Sequence, residues 1–315
     1  MFVYIRASRC YNEARKIRGV FMDKKIFKGY IFAVLSAVIY GCMPLMANYI
    51  YAEGVNPISL VFLRNCISVP VLACLAYSKR KSFKIPVKSF PSVALIAVLG
   101  CCITPILLFS SYRFIPSGTA TVIHFAYPAF VVLGGILFLR EKAQLSNILC
   151  VLLCVGGVAL FYSPGQPLTP EGSLLALASA VTFAAYVILL ARFDTSEISS
   201  FLFAFYNIVI SSIVTFFICL ASGGIALPES LFGWGLCLLF SLLVTTGAVV
   251  LFQQSAFLIG GERVSILSTL EPITSLIIGV VVFNETLGLS VFIGSVMVVL
   301  ASILTALFDI KKGAS

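Results

Sequence analysis

Glu271, His124 and Arg64 are the residues of this sequence that could do chemistry inside an apolar environment. Glu271 stands in the run SILSTLEPITSLIIGVVVFNET, Ser265 to Thr286, eight residues past Arg263. That places it roughly 12 Å along a helix from the nearest charge. A carboxylate so deep in hydrocarbon costs about 3 kcal/mol unless it is paired, protonated or facing water. Glu271 is therefore a candidate for contacting substrate and for carrying a coupled proton; the bland alternative is a structural pair with Arg64 or hydrogen bonding at the Pro272 kink. His124 is the single histidine. It shares a helical face with Tyr127, as Ser268 does with Glu271, because each pair is spaced by three. A lone histidine in an apolar run serves equally well as an interhelical hydrogen bonder. Arg64 lies within an apolar run and could snorkel to the outer headgroups or enter an ion pair in a cavity.

Tyr40, Asn48, Tyr186 and Gln253 join His124, Tyr127, Ser268 and Glu271 as candidates to line a substrate cavity, with Tyr206 and Asn207 as further ones. Pro44, Pro128 and Pro272 are candidate hinges, since each removes a backbone donor and loosens the turn before it. No metal, cofactor or catalytic set is expected. The sequence has no phosphate-binding Gly-rich loop, no His-Glu-x-x-His and no Gly-x-Ser-x-Gly. Of its 10 cysteines, Cys10 is in the basic N-terminal segment and the others sit in or beside apolar runs, which reads as small buried hydrophobes.

The elements that must position these residues are apolar helices. The chain of 315 residues is 60% hydrophobic and 10% charged, with a mean hydropathy of +1.10. Soluble domains carry about 25% charged residues, so this is an integral membrane protein. Its net charge of +9 is read as helix-flanking charge that orients the spans, with no nucleic-acid partner. A span needs about 20 apolar residues. Ten are predicted, at 29–51, 57–77, 92–112, 117–139, 145–163, 172–191, 198–221, 231–256, 264–283 and 288–308, joined by short loops rich in Gly and Pro. With both termini cytoplasmic, every basic residue of the 21 except Arg64 and Arg113 falls on the cytoplasmic side.

The chain repeats. The run Thr121 to Lys142, TVIHFAYPAFVVLGGILFLREK, returns as Ser265 to Thr286, with Pro128 matching Pro272 and Glu141 matching Glu285 at one common separation. Ser36 matches Ser179, Asn65 matches Asn207, and Ser111 matches Ser255. Five spans per half is an odd number, so the halves enter the membrane in opposite senses, related by a pseudo-two-fold axis in its plane. The expected organisation is a basic cytoplasmic segment 1–28, a first repeat 29–163, a second repeat 172–308 and a cytoplasmic tail 309–315. The basic lead beginning at Met22 suggests that residues 1–21 are an upstream-start extension.

At these residues the chain resembles the EamA family of the drug/metabolite transporter superfamily. The resemblance covers roughly residues 29–308. It is carried by Tyr127-Pro128 with Arg140-Glu141-Lys142, by Glu271-Pro272 with Asn284-Glu285, and by Arg64 in Phe62-Leu63-Arg64-Asn65. The family usually has Gly before the terminal Glu of the second motif, where this chain has Asn284. The resemblance implies an all-α fold of ten transmembrane helices in two inverted five-helix repeats, and a cavity lined by spans one, three, four, six, eight and nine. It implies a secondary active transporter of the cytoplasmic membrane, a monomer or homodimer, moving a small metabolite such as an amino acid-like molecule, nucleoside, vitamin or drug. Export is the leading reading, with uptake or exchange as the alternative. A membrane-embedded enzyme or lipid flippase is the rival from another class; it would need acids, histidines or metal ligands clustered near one interface.

Overall fold

A computed structural model of the chain describes residues 25–80, 83–139, 145–160, 169–192, 198, 200–259, 264, 267–285 and 288–313. Most of the N-terminal segment, Glu141, the loop around Pro164 and the last two residues of the tail lie outside the described residues, as does the Gln253 side chain. The described residues form helices, without a strand among them. Seven helices are long and apolar enough to cross a membrane, and three shorter apolar ones complete the set of ten spans.

We label them in chain order. The first, α1, is Lys25–Ala52, and α2 is Pro57–Arg80. Next, α3 runs as Phe90–Ala97, a π-helical segment Val98–Ile103, and Thr104–Ser111. The fourth, α4, is broken into Ser117–His124 and Tyr127–Leu139. The middle spans are α5, Leu145–Ala159, α6, Pro170–Arg192, and α7, Ser200–Ala221. The eighth, α8, runs as Leu231–Phe240, a π-helical segment Ser241–Ala248, and Val249–Ile259. The last two are α9, Leu270–Phe283, and α10, Leu289–Gly313.

Helix ends follow local chemistry. Ser230 caps α8 by accepting the Gly233 N–H at 3.1 Å. The end of α7 turns through Gly223 and Gly224, both at positive φ, with the Gly224 N–H reaching back to Cys219 O at 2.8 Å. The end of α9 uses Asn284 at φ 52 in the same way, and the Glu285 N–H closes on Gly279 O at 3.0 Å. Asn284 does here what Gly does in the usual family motif, because Asn tolerates the left-handed region.

The two halves bend alike. When they are aligned on Pro128 and Pro272, the π-helical segment of α3 falls on that of α8. The break at Phe125–Ala126 falls within one residue of the turn at Ser268–Thr269. These breaks lie immediately before Tyr127-Pro128 and Leu270-Glu271-Pro272, and α1 has a turn at Cys42 just before Pro44. A π turn misaligns the backbone ladder, and in lipid the freed carbonyls need partners. Side chains of neighbouring helices supply them: Ser36 Oγ donates to Ala248 O at 2.9 Å, Ser68 Oγ to Ser241 O at 3.2 Å, and Ser211 Oγ to Cys101 O at 2.7 Å.

The halves are not separate bodies. The closest packing runs across them, α2 along α7, α10 along α5, and α6 against α3 and α4. Small residues permit close approach, as expected where lipid supplies no hydrophobic drive between helices. A Cβ at Gly41 would lie 2.5 Å from Thr274 Cβ, and one at Gly100 would lie 2.3 Å from the Tyr186 ring.

Candidate functional site

Glu271 occupies the first turn of α9, directly after the Ser268–Thr269 turn, and its own N–H bonds Ser268 O at 3.0 Å. Tyr127 has the matching place in α4. The Glu271 carboxyl acts electrostatically on Tyr40 of α1, Tyr112 beside α3, and Tyr127. Tyr40 in turn feels Tyr186 of α6 and Arg64 of α2. Glu271, Tyr40, Arg64, Tyr127 and Tyr186 all keep partial exposure although they lie at mid-span. Five helices thus bring one acid, one guanidinium and three phenols to one neighbourhood.

Arg64 faces an aromatic ring. Among the described residues it forms no ion pair with Glu271. Its guanidinium lies over the Phe109 ring, 5.4 Å from the centroid, and its Nε is buried without a partner. The aromatic quadrupole takes part of the role a carboxylate would have. His124 is 7% exposed. Its Nδ1 is 2.9 Å from Ser179 Oγ, and that hydroxyl donates to Ala176 O at 2.6 Å. With the serine proton so used, the histidine must be the donor, which fixes the Nδ1–H tautomer and leaves Nε2 as an acceptor. The His124 ring is packed by Phe183 at 5.3 Å and Tyr127 at 5.9 Å. Phe183, which the sequence did not single out, also meets Tyr127 edge-on at 4.7 Å and stacks on Tyr186 at 5.3 Å.

The other candidates are more scattered. Ser268 Oγ bonds back to Val264 O at 3.1 Å. Asn48 is partly exposed near the far end of α1, away from this group. Tyr206 donates to Phe83 O at 2.7 Å, which ties α7 to the loop after α2. Tyr186 and Asn207 line a cavity of about 300 Å³ between α2, α3, α6, α7 and α8.

The acid that ends the second motif has a visible task. Glu285 Oε1 accepts from the Ser117 N–H at 3.0 Å and Ser117 Oγ at 3.3 Å, so it caps the N-terminus of α4. Glu285 lies just past α9; burial pushes its carboxyl up from the ordinary value, while the bonds from Ser117 and Gly118 pull it down. Glu285→Ala should cost about 1 kcal/mol, as loss of a cap does, and Glu285→Gln should keep most of it. Thermal unfolding of the two purified variants checks this; equal melting temperatures would remove the cap from the account.

A bundle of ten apolar helices in two inverted repeats, with polar groups gathered at helix breaks, defines a multi-pass membrane protein built as transporters are. The sequence matches the EamA-like transporter family over residues 27–163 and again over 170–307, and the chain belongs to that family. It is 24% identical over 302 residues to the uncharacterized inner membrane transporter YicL of Salmonella typhimurium, covering 91% of this chain and 97% of that protein. It is 23% identical over 274 residues to solute carrier family 35 member G1 of Mus musculus, covering 82% and 72%. An uncharacterized transporter of Haemophilus influenzae is 26% identical over 189 residues, which is 56% of this chain and 61% of that protein. A crystal structure shares the fold, with a TM-score of 0.63 at 16% identity over 90% of this chain and 98% of its own. The protein is a membrane transporter of the drug/metabolite type.

Proposed function

We propose that the chain is a secondary active transporter that moves a small metabolite across the cytoplasmic membrane by alternating access, as an exporter, with both termini cytoplasmic and Glu271 as the proton-coupling group. The observations that support this reading are the tied connections at one end of the bundle and a cavity toward the other. At the end bearing Glu53, the connections are tied together. Ser230 Oγ donates to Glu53, the Glu229 N–H to Glu53 O at 3.1 Å, the Ala226 N–H to Ser59 Oγ at 2.9 Å, and the Ser117 N–H to Glu285. The cavity lies toward the opposite end, walled by Leu72, Leu190 and Phe203 in the parts of their helices nearest Lys84 and Arg192. Basic residues favour the cytoplasmic side, so this is an inward-facing arrangement. Exchange of the two halves' conformations would give the outward-facing one at similar energy.

Counterflow into liposomes of purified protein, screened with amino acids, nucleosides, vitamins and organic cations, tests the reading. Saturable exchange of at least one class is the expected result, and no protein-dependent flux with any class would overturn it. Orientation is tested separately. A cysteine replacing Glu229 should react with an impermeant thiol reagent in intact cells once background cysteines are removed, and one replacing Lys84 only after permeabilisation. Labelling at position 84 in intact cells would reverse the assigned orientation.

A further inference from the structure

In and beside the cavity are polar groups without hydrogen-bond partners. Asn207 is 5% exposed, and its Oδ1 is buried without a partner. Thr245 and Thr246 are 7% and 6% exposed, and both hydroxyls are likewise unpartnered. Asn207 and Thr245 line the cavity beside Tyr186, Phe203 and Leu72. Buried polar atoms without partners are costly and rare.

The same molecule shows how these residue types are normally satisfied. Thr121, Thr215 and Thr274 each donate to the carbonyl four residues earlier, at 2.9, 2.6 and 2.7 Å. Thr245 and Thr246 do not, because they sit in the π-helical segment Ser241–Ala248, where the backbone register is shifted. The repeat supplies a second comparison. Asn65, the mate of Asn207, donates its amide N–H groups to Ser211 Oγ at 2.8 Å and to Cys101 O at 3.2 Å, while its Oδ1, like that of Asn207, is unpartnered. Cys101 holds in α3 the place that Thr245 holds in α8. In the first half the asparagine's N–H groups are docked on the π-helical segment and on Ser211; in the second half the asparagine is among the residues that line the cavity.

The geometry points to a recognition subsite at Asn207 and Thr245 for an uncharged molecule bearing a carboxamide or lactam group on an apolar, aromatic body. This rests on the transporter reading above and gives its cavity a substrate class. Asn207 Oδ1 calls for an N–H donor, and the threonine hydroxyl for an acceptor; an amide or lactam edge carries both on adjacent atoms. The walls, Leu72, Phe203, Ile208 and Tyr186, suit a flat apolar body, and no charged side chain is among the described residues lining the cavity. A net charge on the bound group would meet no opposite charge among those lining residues.

The test uses the full chain purified in detergent and two probes, 2-naphthamide and N,N-dimethyl-2-naphthamide. The second keeps the ring and the acceptor but has no N–H. Equilibrium dialysis should show saturable binding of 2-naphthamide, weaker by about tenfold for the dimethylated probe, the usual cost of leaving a buried acceptor unpaired. Asn207→Leu should lose the preference, binding both probes alike, and Thr245→Val should weaken both alike, since both probes keep the acceptor for its hydroxyl. Thr245→Val is nearly isosteric, so it carries the test together with the wild-type comparison if Asn207→Leu does not fold. Equal binding of both probes to the wild type, no saturable binding, or a preference that survives Asn207→Leu would each overturn the subsite. Binding is read without transport: an amide preference without counterflow removes the transporter reading and leaves the site, whereas counterflow without the preference does the reverse.

Discussion

Glu271→Gln is expected to leave the protein folded, to abolish accumulation of substrate driven by a pH gradient, and to spare part of the downhill exchange. The amide keeps the shape and hydrogen bonding of a neutral carboxyl, so the packing around position 271 should survive. What it removes is a proton that can be taken up on one side and released on the other as the cavity is alternately wetted. One pH unit is worth 1.36 kcal/mol. With one proton coupled per substrate, such a gradient supports about tenfold accumulation, and the variant should fall to about one. Glu271→Asp should retain partial activity with a displaced pH optimum. The measurement is substrate flux in liposomes with and without an imposed pH gradient, using a substrate found by counterflow. Wild-type accumulation by the Gln variant would show that another group couples the proton. Failure of the variant to fold would make Glu271 a structural residue, most simply through bonds at the Pro272 break, because Arg64 is turned to Phe109.

Gly41→Ala is expected to destabilise the protein and depress flux together. Gly41 is where α1 crosses α9: an added Cβ would lie 2.5 Å from Thr274 Cβ and 2.9 Å from the backbone oxygen of Glu271. The second contact is with backbone, so the clash cannot be relieved by a side-chain rotation alone. Overpacking of this kind costs about 1–3 kcal/mol. The better helix propensity of alanine returns at most about 1 kcal/mol, so the sign stays unfavourable. Pushing α1 away also moves Tyr40, the next residue, from Glu271, which is why flux should fall even in the folded fraction. Gly235→Ala is the control, since an added Cβ there meets nothing within 4 Å. Thermal unfolding and counterflow of both variants check the pair. An unchanged melting temperature and flux in Gly41→Ala would mean that α1 and α9 do not close on each other as described.

Much of the fold could be read from composition and repetition. Apolar runs joined by Gly- and Pro-rich loops gave the spans, and the recurrence of Pro128 at Pro272 gave the inverted halves, because in a membrane the length of a span and the place of a proline are local properties. The tyrosines, Glu271 and Arg64 announced themselves as polar groups that hydrocarbon would not tolerate unpartnered.

The facing of each helix was not legible in the same way. Leu231 is 91% exposed and Phe138 83%, while Phe109 and Phe240 are fully buried; lipid and protein interior reward the same side chains, so hydropathy does not separate the two faces. The π-helical segments were also hidden. Val98–Ile103 and Ser241–Ala248 have the composition of ordinary spans, and their shifted register is stabilised by Asn65, Ser68, Ser36 and Ser211, residues distant in sequence. The Thr-Thr-Gly at 245–247 was the only local sign. By itself, then, the sequence determined the membrane class, the repeat and the helix breaks, and it offered polar residues as candidates to line a cavity. Only the tertiary structure decided that Arg64 meets an aromatic face, that Glu285 caps α4, and that Asn65 is docked while Asn207 is left open. Those outcomes depend on which distant helix supplies a partner for each buried polar atom.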